Sequence, residues 1–349
     1  MNKVRIVNWL LTRKCNLKCD YCAIVQNYIS KPGSYPHMDH YYRNEMSTEM
    51  VINGLESFRI HNPNAFHIFY GGEPLLRKDL PEIINFCNEN KIFYTIISNN
   101  TPEIQPMIKR LFKETDYVDG FTSSVDPIFN EIGVKEDRVK KSIEGLQRLK
   151  EIQARGDVND VVAEITVMNH NKHLLHQLVS ELSDNEIYSD ITFVDIAKSV
   201  YYDFSNVHDA SQLVDKSFDL AMLFDEMIDD DSLLVHMKGI LLPRMFDTLP
   251  SNMDCELDKS VHNISVDADG SIRLCLRIRG SVLPKMYNLE NLFDKNQPEL
   301  LTSNFSNTVR YEKGRMCKLC NHSCLLMSKY IDDEEDGEAE LVHMDKREG

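Results

Sequence analysis

Three cysteines near the start of the chain, Cys15, Cys19 and Cys22, have the spacing Cys-x3-Cys-x2-Cys within CNLKCDYC. Thiolates are the ligands that iron–sulfur clusters take from proteins, and a short loop can present three sulfurs to three irons of a cubane. The fourth iron then has no protein ligand, and a catalytic metal centre requires such an open position. The spacing therefore predicts a 4Fe-4S cluster with one iron open to a small molecule.

Zinc is the alternative occupant of the same three thiols. Structural zinc takes four ligands, usually arranged as two pairs. A zinc site here would need a fourth ligand from elsewhere, such as His37 or His40. Because the motif itself supplies no fourth ligand, the spacing favours the cluster.

The run CNLKCDYC resembles the CxxxCxΦC motif of the radical S-adenosylmethionine (radical SAM) enzymes, where Φ is usually aromatic and is here Tyr21. The resemblance implies that SAM chelates the open iron through its amino and carboxylate groups. One electron from the cluster would then cleave SAM into methionine and a 5′-deoxyadenosyl radical, which removes a hydrogen atom from the substrate. It also implies an electron donor such as flavodoxin or ferredoxin.

Further motifs follow predicted strands and resemble the SAM-binding signatures of this family. In GGEP (71–74), glycines allow close backbone approach, and the backbone carbonyls and Glu73 would face the SAM ammonium group. SNN (98–100) and SVDP (124–127) stand where the family often has Thr-Asn-Gly and Ser-x-Asp-Gly, and TVMNHN (166–171) resembles its adenine-packing strand. The SAM-site residues implied in this way are Tyr21, Gly71, Gly72, Glu73, Pro74, Ser98, Ser124, Asp126 and Arg138.

Arg138 is included because a guanidinium suits the geometry of a carboxylate, here that of SAM. The alternative for these positions is structural: ordinary turns at strand ends and, for Arg138, a solvated charge on a helix. Asp195 and Lys198 follow the sixth predicted strand, where family members often contact substrate. Cys87 lies among apolar residues of a predicted helix, so we expect it to be a core thiol.

Strands alternate with helices along the first 230 residues, which predicts parallel βα units. The predicted strands cover 4–12, 65–70, 94–98, 120–124, 161–167 and 191–195, and the helices cover 48–60, 80–90, a stretch from 102, 137–151, 172–182 and 214–228. Six such units correspond to an α/β partial (β/α)6 TIM-like barrel, the core of the family. In such barrels functional residues gather at the C-terminal ends of the strands.

Five more cysteines lie near the C-terminus. Cys255-x14-Gly270-x4-Cys275 encloses alternating strands about an Asp-Gly turn, which predicts a β-hairpin, and Cys317-x2-Cys320-x3-Cys324 follows. Two separated groups can form a four-thiolate site for either zinc or an auxiliary 4Fe-4S cluster.

The arrangement resembles the SPASM and twitch extensions of radical SAM enzymes, which hold auxiliary 4Fe-4S clusters. Five cysteines are too few for two fully ligated clusters, so the resemblance favours twitch, with one auxiliary cluster on Cys255, Cys275, Cys317 and Cys320. Cys324 is left as an exchangeable ligand, a ligand of a partly ligated second cluster, or an inert thiol. The fold prediction therefore adds a small C-terminal β-hairpin/helix cluster-binding domain.

The expected domains are the barrel (1–235), the auxiliary cluster domain (236–330) and an acidic tail (331–349). The net charge is −16, from 39 basic and 55 acidic residues, so phosphate backbones would be repelled and nucleic acid is not an expected partner. No run approaches 18 apolar residues, which argues against a membrane span. The N-terminal apolar run lacks the cleavage site of a signal peptide, so we expect the reducing cytoplasm. Nine cysteines in that compartment indicate metal or redox roles and not disulfides.

Two functions from different classes fit the sequence. The first is a radical SAM oxidoreductase with a twitch-type auxiliary cluster, whose relatives modify ribosomally made peptides, mature sulfatases or oxidise small sugars and aminocyclitols. Because the chain starts almost at its first strand, we expect a small molecule or a short peptide without a leader as substrate. The second is a colourless, zinc-stabilised barrel that acts as a binding module without catalysis.

Overall fold

The computed structural model describes residues 4, 6–17, 19, 22, 45–125, 129–130, 133–134, 136–193, 218–236 and 263–273. The strands are β1 (Ile6–Thr12), β2 (Phe66–Gly71), β3 (Phe93–Ser98), β4 (Val118–Ser124), β5 (Phe129–Asn130), β6 (Gly133–Val134), β7 (Val158–Val167), β8 (Tyr188–Phe193), β9 (Asn263–Val266) and β10 (Ile272–Arg273). The α-helices are α1 (Thr48–His61), α2 (Leu80–Glu89), α3 (Gln105–Glu114), α4 (Glu136–Ala154), α5 (Leu175–Asp184) and α6 (Phe218–Asp229). Short 3-10 helices cover Pro74–Leu76 and Lys172–Leu174.

One sheet of eight strands, in the order β10-β9-β1-β2-β3-β4-β7-β8, organises the described residues. Every neighbouring pair from β9 to β8 is parallel, and β10 is antiparallel to β9. Six of these strands, β1, β2, β3, β4, β7 and β8, each precede a helix in the chain. The predicted partial (β/α)6 barrel is therefore confirmed. The short β5–β6 hairpin was not predicted.

The core lies between the sheet and the helices that cover it. Trp9 of β1 and Phe58 of α1 are fully buried and meet edge to face, with ring centroids 5.9 Å apart. The Trp9 indole N–H donates to Nδ1 of His67 at 2.9 Å. Burial lowers the pKa of His67 to about 3, so this histidine is neutral and serves as a hydrogen-bond acceptor in the core.

Local signals in the sequence set where α1 begins. The Ser47 hydroxyl accepts a hydrogen bond from the Met50 N–H at 3.2 Å, which makes Ser47 the N-cap. Thr48 then donates to Asp79 at 2.6 Å, and Arg77 donates both to Asp79 at 3.0 Å and to the Leu11 carbonyl at 2.9 Å. These bonds tie the start of α1 and the turn after GGEP to β1.

The predicted hairpin about Asp269-Gly270 is confirmed as β9 and β10. Gly270 has φ +82°, and the Asp267 N–H donates to the Ser271 carbonyl at 2.8 Å across the turn. β9 pairs with the free edge of β1, and Val266 lies opposite Trp9. Among the described helices, none is long and apolar enough to cross a membrane.

Candidate active site

Four neighbouring strands end together at one edge of the sheet. Thr12 at the end of β1 lies beside Gly71 of β2, and Ser98 at the end of β3 lies beside Ser123 of β4. Because these strands are parallel, their C-terminal ends face the same side of the barrel. The cysteine loop, GGEP, SNN and the start of SVDP therefore all emerge at this edge.

The three cysteines of the first motif are outside any disulfide and are partly exposed. Cys15 Sγ accepts from the Leu17 N–H at 3.4 Å, and the Cys22 N–H donates to the Cys19 carbonyl at 3.2 Å. Burial, helped by the nearby Glu73 and Cys19, raises the pKa of the Cys15 thiol to about 11. The thiol therefore keeps its proton at neutral pH until a metal centre displaces it.

The donor set suits a cubane cluster. Within the described ranges, no three His, Cys, Asp or Glu side chains converge on a single ion. A cubane does not require such convergence because each of its thiolates binds a different iron. Tyr21 of this motif, and His37 and His40 of the zinc alternative, lie outside the described residues.

Gly71 and Gly72 bring the end of β2 into backbone contact with the start of the cysteine loop. The Gly72 N–H donates to the Thr12 carbonyl and the Glu73 N–H donates to the Lys14 carbonyl, both at 2.7 Å. A Cβ at Gly71 would lie 2.3 Å from the Thr12 oxygen, and one at Gly72 would lie 2.1 Å from the Lys14 oxygen. The space that these glycines leave open in the described structure is therefore filled by the loop that carries the cysteines.

Glu73 is fully buried and joins the GGEP turn to the loop after β3. One carboxylate oxygen accepts from the Leu75 N–H at 3.1 Å, and the other accepts from the Asn99 N–H at 2.9 Å and the Ser98 hydroxyl at 3.2 Å. Burial raises the pKa of Glu73 to about 7, although these hydrogen bonds act in the opposite direction. A nearby cation would favour the charged form of this carboxylate.

Asn16, between the first two cysteines, is tied to the loop after β3. Its Nδ2 donates to Thr101 Oγ1 at 3.0 Å, and its Oδ1 accepts from Asn99 Nδ2 at 2.8 Å. The same Asn99 amide lies 3.9 Å from Cys15 Sγ. The first turn of the cysteine loop is therefore fixed to the loop after β3 by side-chain amides.

The remaining predicted SAM contacts differ in how the structure places them. Ser98 is buried and its hydroxyl is bonded to Glu73, whereas Ser124 ends β4 and is partly exposed. Arg138 lies in α4, but its side chain and the whole of Asp126 lie outside the described residues. Pro74 is buried and begins the 3-10 helix after GGEP.

The turn after β7, within TVMNHN, is closed by Asn171. Its Oδ1 accepts from the Met168 N–H at 2.7 Å, and its Nδ2 donates to the Thr166 carbonyl at 3.0 Å. The expected adenine-packing segment is thus a turn held by one buried asparagine. Outside the described residues lie Asp195, Lys198, Cys255, Cys275, Cys317, Cys320 and Cys324.

Comparison with known families decides the class. Residues 9–182 match the model of the Radical SAM superfamily. The matched range contains the three cysteines, GGEP, SNN and SVDP. This chain belongs to the radical SAM superfamily. Enzymes of this superfamily use a 4Fe-4S cluster and SAM, and Cys15, Cys19 and Cys22 are the thiols in the matched range that suit the cluster.

Two curated radical SAM relatives illustrate the range of similarity. The Fe-coproporphyrin III synthase of Methanosarcina barkeri is 34% identical over 113 residues, which is 32% of this chain and 25% of the relative. The radical SAM cyclopropyl synthase TigE of Paramaledivibacter caminithermalis is 26% identical over 231 residues, which is 62% of this chain and 46% of the relative. The chain thus matches from a quarter to just under half of these relatives' lengths.

A solved structure shares the fold over most of this radical SAM chain. Streptococcus suis SuiB, bound to its precursor peptide SuiA, superposes with a TM-score of 0.56 at 14% identity. The superposition covers 87% of this chain and 67% of SuiB. SuiB has also been solved bound to S-adenosylmethionine. At this identity the likeness establishes the fold alone.

Sequence reasoning missed Asn16 and Asn99, the polar residues that fix the radical SAM cysteine loop to the loop after β3. Both stand inside motifs that had been identified, one directly after the first cysteine and one in the middle of SNN. An asparagine beside a metal ligand is a signal in itself, because its amide can hold a loop and donate to a thiolate.

Proposed function

We propose that this radical SAM protein holds a 4Fe-4S cluster on Cys15, Cys19 and Cys22, cleaves SAM reductively and abstracts a hydrogen atom from a substrate carbon. When bound, the cluster supplies one electron to the sulfonium C–S bond of SAM, which gives methionine and a 5′-deoxyadenosyl radical. The observation that carries the proposal is the bonding of the cysteine loop to two other motifs. Lys14 is bonded to the GGEP turn at 2.7 Å, and Asn16 is bonded to Asn99 at 2.8 Å.

The residues around the cysteines are suited to hold SAM. Glu73 has a pKa of about 7, so an approaching ammonium group would draw it into the charged form at neutral pH. We assign the ammonium to Glu73 and the backbone of Gly71 and Gly72. We assign the carboxylate to Arg138, and further polar contacts of SAM to Ser98, Ser124 and Asp126. Binding of SAM in one orientation would hold its 5′ carbon near the target hydrogen and exclude competing reactions.

The segment 236–330 is proposed to form an auxiliary cluster domain of the twitch type. Cys255, Cys275, Cys317 and Cys320 would hold a second 4Fe-4S cluster, and Cys324 would be an alternative ligand. The β9–β10 hairpin supports this proposal because it lies between Cys255 and Cys275 in the chain. The auxiliary cluster would accept an electron from the substrate radical, which makes the overall reaction an oxidation, or it would bind the substrate.

The substrate is proposed to be a small molecule or a peptide. The fold likeness to SuiB, a protein solved with a precursor peptide, is compatible with a peptide. An electron donor such as flavodoxin or ferredoxin, in the cytoplasm, would reduce the cluster.

Iron analysis and SAM cleavage test the proposal. Anaerobically reconstituted protein should be brown, absorb near about 400 nm and contain about eight irons per chain, the sum of two cubanes. With dithionite and SAM it should form 5′-deoxyadenosine. Alanine at Cys15, Cys19 or Cys22 should abolish this product, whereas Cys87→Ala, which changes a fully buried cysteine of α2, should not.

The auxiliary cluster has its own test. The double variant Cys317→Ala/Cys320→Ala should lose about half of the iron and still cleave SAM, because the first cluster is intact. A colourless wild-type protein with bound zinc would contradict the proposal, and so would wild-type rates of 5′-deoxyadenosine formation in Cys15→Ala.

A further inference from the structure

The tip of the β9–β10 hairpin lies against both ends of the segment that carries the three cysteines. That segment begins after β1 at Arg13, and the chain returns at Glu45, just before α1. Nη2 of Arg13 lies 2.6 Å from Oδ1 of Asp267, and the Met46 N–H donates to the Ala268 carbonyl at 2.6 Å. A hairpin from the far end of the chain therefore closes the base of the cysteine segment.

The Arg13–Asp267 ion pair is buried on both sides, with each side chain only 4% exposed. The carboxylate is held by its own turn, because Oδ1 also accepts from the Ala268 N–H at 2.7 Å. A second carboxylate, Asp269, lies 3.5 Å from the same guanidinium but is 40% exposed. Among the described residues, Asp267 is thus a buried partner of the arginine, and Asp269 is a partly exposed one.

The backbone of residue 13 is fixed independently of its side chain. Oε1 of Glu45 accepts from the Arg13 N–H at 2.9 Å and from the Thr12 hydroxyl at 2.8 Å. Arg13 is therefore held at its amide and at its guanidinium, two residues before Cys15. A displacement of the hairpin tip would therefore act on the start of the cysteine loop through the guanidinium, while Glu45 still holds the backbone.

We propose that Asp267 is a positioning residue for the cluster, acting through Arg13. It would fix the start of the cysteine loop, and it would neutralise a buried guanidinium two residues before a cluster ligand. This role rests on the proposed function, since it requires the cluster on Cys15, Cys19 and Cys22. Groups that orient metal ligands without binding the metal govern both metal retention and reduction potential.

Loss of the carboxylate has two separable consequences. The loop loses one of its anchors, so the cluster should dissociate more readily. The guanidinium also loses its buried counterion, and a positive charge near a cluster favours the reduced state, which raises the reduction potential. A residue that only stabilised the fold would have no reason to move the potential.

The test uses the full chain, reconstituted anaerobically, with Asp267→Asn and the matched control Asp269→Asn. In Asp267→Asn, iron release from the cluster on Cys15, Cys19 and Cys22 to a chelator should be ~10-fold faster than in the wild type. The midpoint potential of that cluster, followed by electron paramagnetic resonance, should be higher than in the wild type. Asp269→Asn should behave as the wild type in both measurements. Equal release rates and equal potentials in the two variants would overturn the proposal.

A second variant decides the matter if Asp267→Asn fails to fold. Arg13→Met/Asp267→Leu replaces the pair by apolar side chains, which proteins often tolerate in place of a buried ion pair. This variant should release iron faster than the wild type while its potential stays close to the wild-type value, because no charge is left unpaired. Wild-type iron release in the double variant would refute the positioning role alone, whereas a wild-type protein that takes up no cluster would refute the proposed function as well.

Discussion

Burial sets the charge of two acidic groups beside each other in the candidate site. It raises the pKa of the Cys15 thiol to about 11 and that of the Glu73 carboxyl to about 7. Both groups become anionic when a cation offsets the cost of burial. Before the metal and the ammonium ligand bind, the thiol is protonated and the carboxyl is partly protonated at neutral pH, so the site has less negative charge. When these cations bind, the thiol and the carboxyl lose their protons and become anionic.

The raised pKa of Glu73 predicts a pH dependence of stability. Its pKa is higher in the folded state than its usual value of 4.5, so the folded protein binds the extra proton between about pH 4.5 and 7. The contribution of Glu73 to stability is therefore present below that window and is lost as the pH rises through it, at up to about 1.4 kcal/mol per pH unit. Urea unfolding of the metal-free wild type and of Glu73→Gln, between pH 4 and 8, should show this loss in the wild type only. Parallel curves for the two proteins would contradict the assignment.

The amide of Asn16 predicts an effect on cluster retention. Asn16→Ala removes two hydrogen bonds to the loop after β3 and leaves Asn99 and Thr101 without these partners. We expect ~10-fold faster iron release, as for other groups that orient metal ligands. Asn85→Ala is the matched control because it removes a single amide hydrogen bond, to the Glu114 carbonyl, far in sequence from Cys15, Cys19 and Cys22. In a chelator assay, Asn16→Ala should release iron faster than Asn85→Ala. Similar rates of iron release in the two variants would rule out a role of Asn16 in cluster retention.

At the scale of elements, alternation of apolar strands with helices was enough to predict all six βα units. Their bounds were less accurate: β4 begins at Val118, two residues before the predicted start, and β7 begins at Val158, three residues before. The motifs were found at the correct strand ends because they are contiguous in sequence. The pairing of Asn16 with Asn99 was not predicted, since it depends on two loops that only the parallel sheet brings together.

The close contact between the GGEP turn and the cysteine loop predicts that adding one methyl group at Gly72 destabilises the protein. In Gly72→Ala the new Cβ would lie 2.1 Å from the Lys14 carbonyl oxygen, so the backbones must separate. We expect a loss of about 3 kcal/mol in the free energy of unfolding and a loss of cluster binding. Gly156→Ala is the control, because its Cβ meets nothing within 4 Å and its φ of +85° alone causes strain. That strain should cost about 1 kcal/mol and leave the iron content unchanged.

For the molecule as a whole, the C-terminal hairpin shares the sheet of the barrel. β9 lies in register with β1, so Asn263 pairs with Ile6 and Val266 pairs with Trp9. The Asp-Gly turn in the sequence predicted the hairpin, but nothing in the sequence predicted that the hairpin pairs with β1. Pairing between residues more than 250 positions apart leaves no periodic signal in either segment, and only the free edge of β1 could have suggested it. The chain continues from Arg273 to Cys275, so the barrel sheet leads directly to a proposed auxiliary ligand.

This shared sheet predicts that hairpin docking and cluster binding are lost together. In Val266→Asp a carboxylate replaces a fully buried side chain opposite Trp9, which should cost more than about 4 kcal/mol if the hairpin stays docked. The hairpin should therefore detach, and the Arg13–Asp267 pair should open with it. Hydrogen exchange should become fast in β9 and at the β1 amides that face it, while β7 and β8 remain protected, and the first cluster should be lost. Phe66→Asp, at a position of β2 that is 39% exposed and lies beside β1, is the control and should keep both the protection and the iron. If Val266→Asp kept its cluster while β9 exchanged freely, the cysteine loop would be independent of the hairpin, and the anchoring role of Asp267 would be refuted together with this prediction.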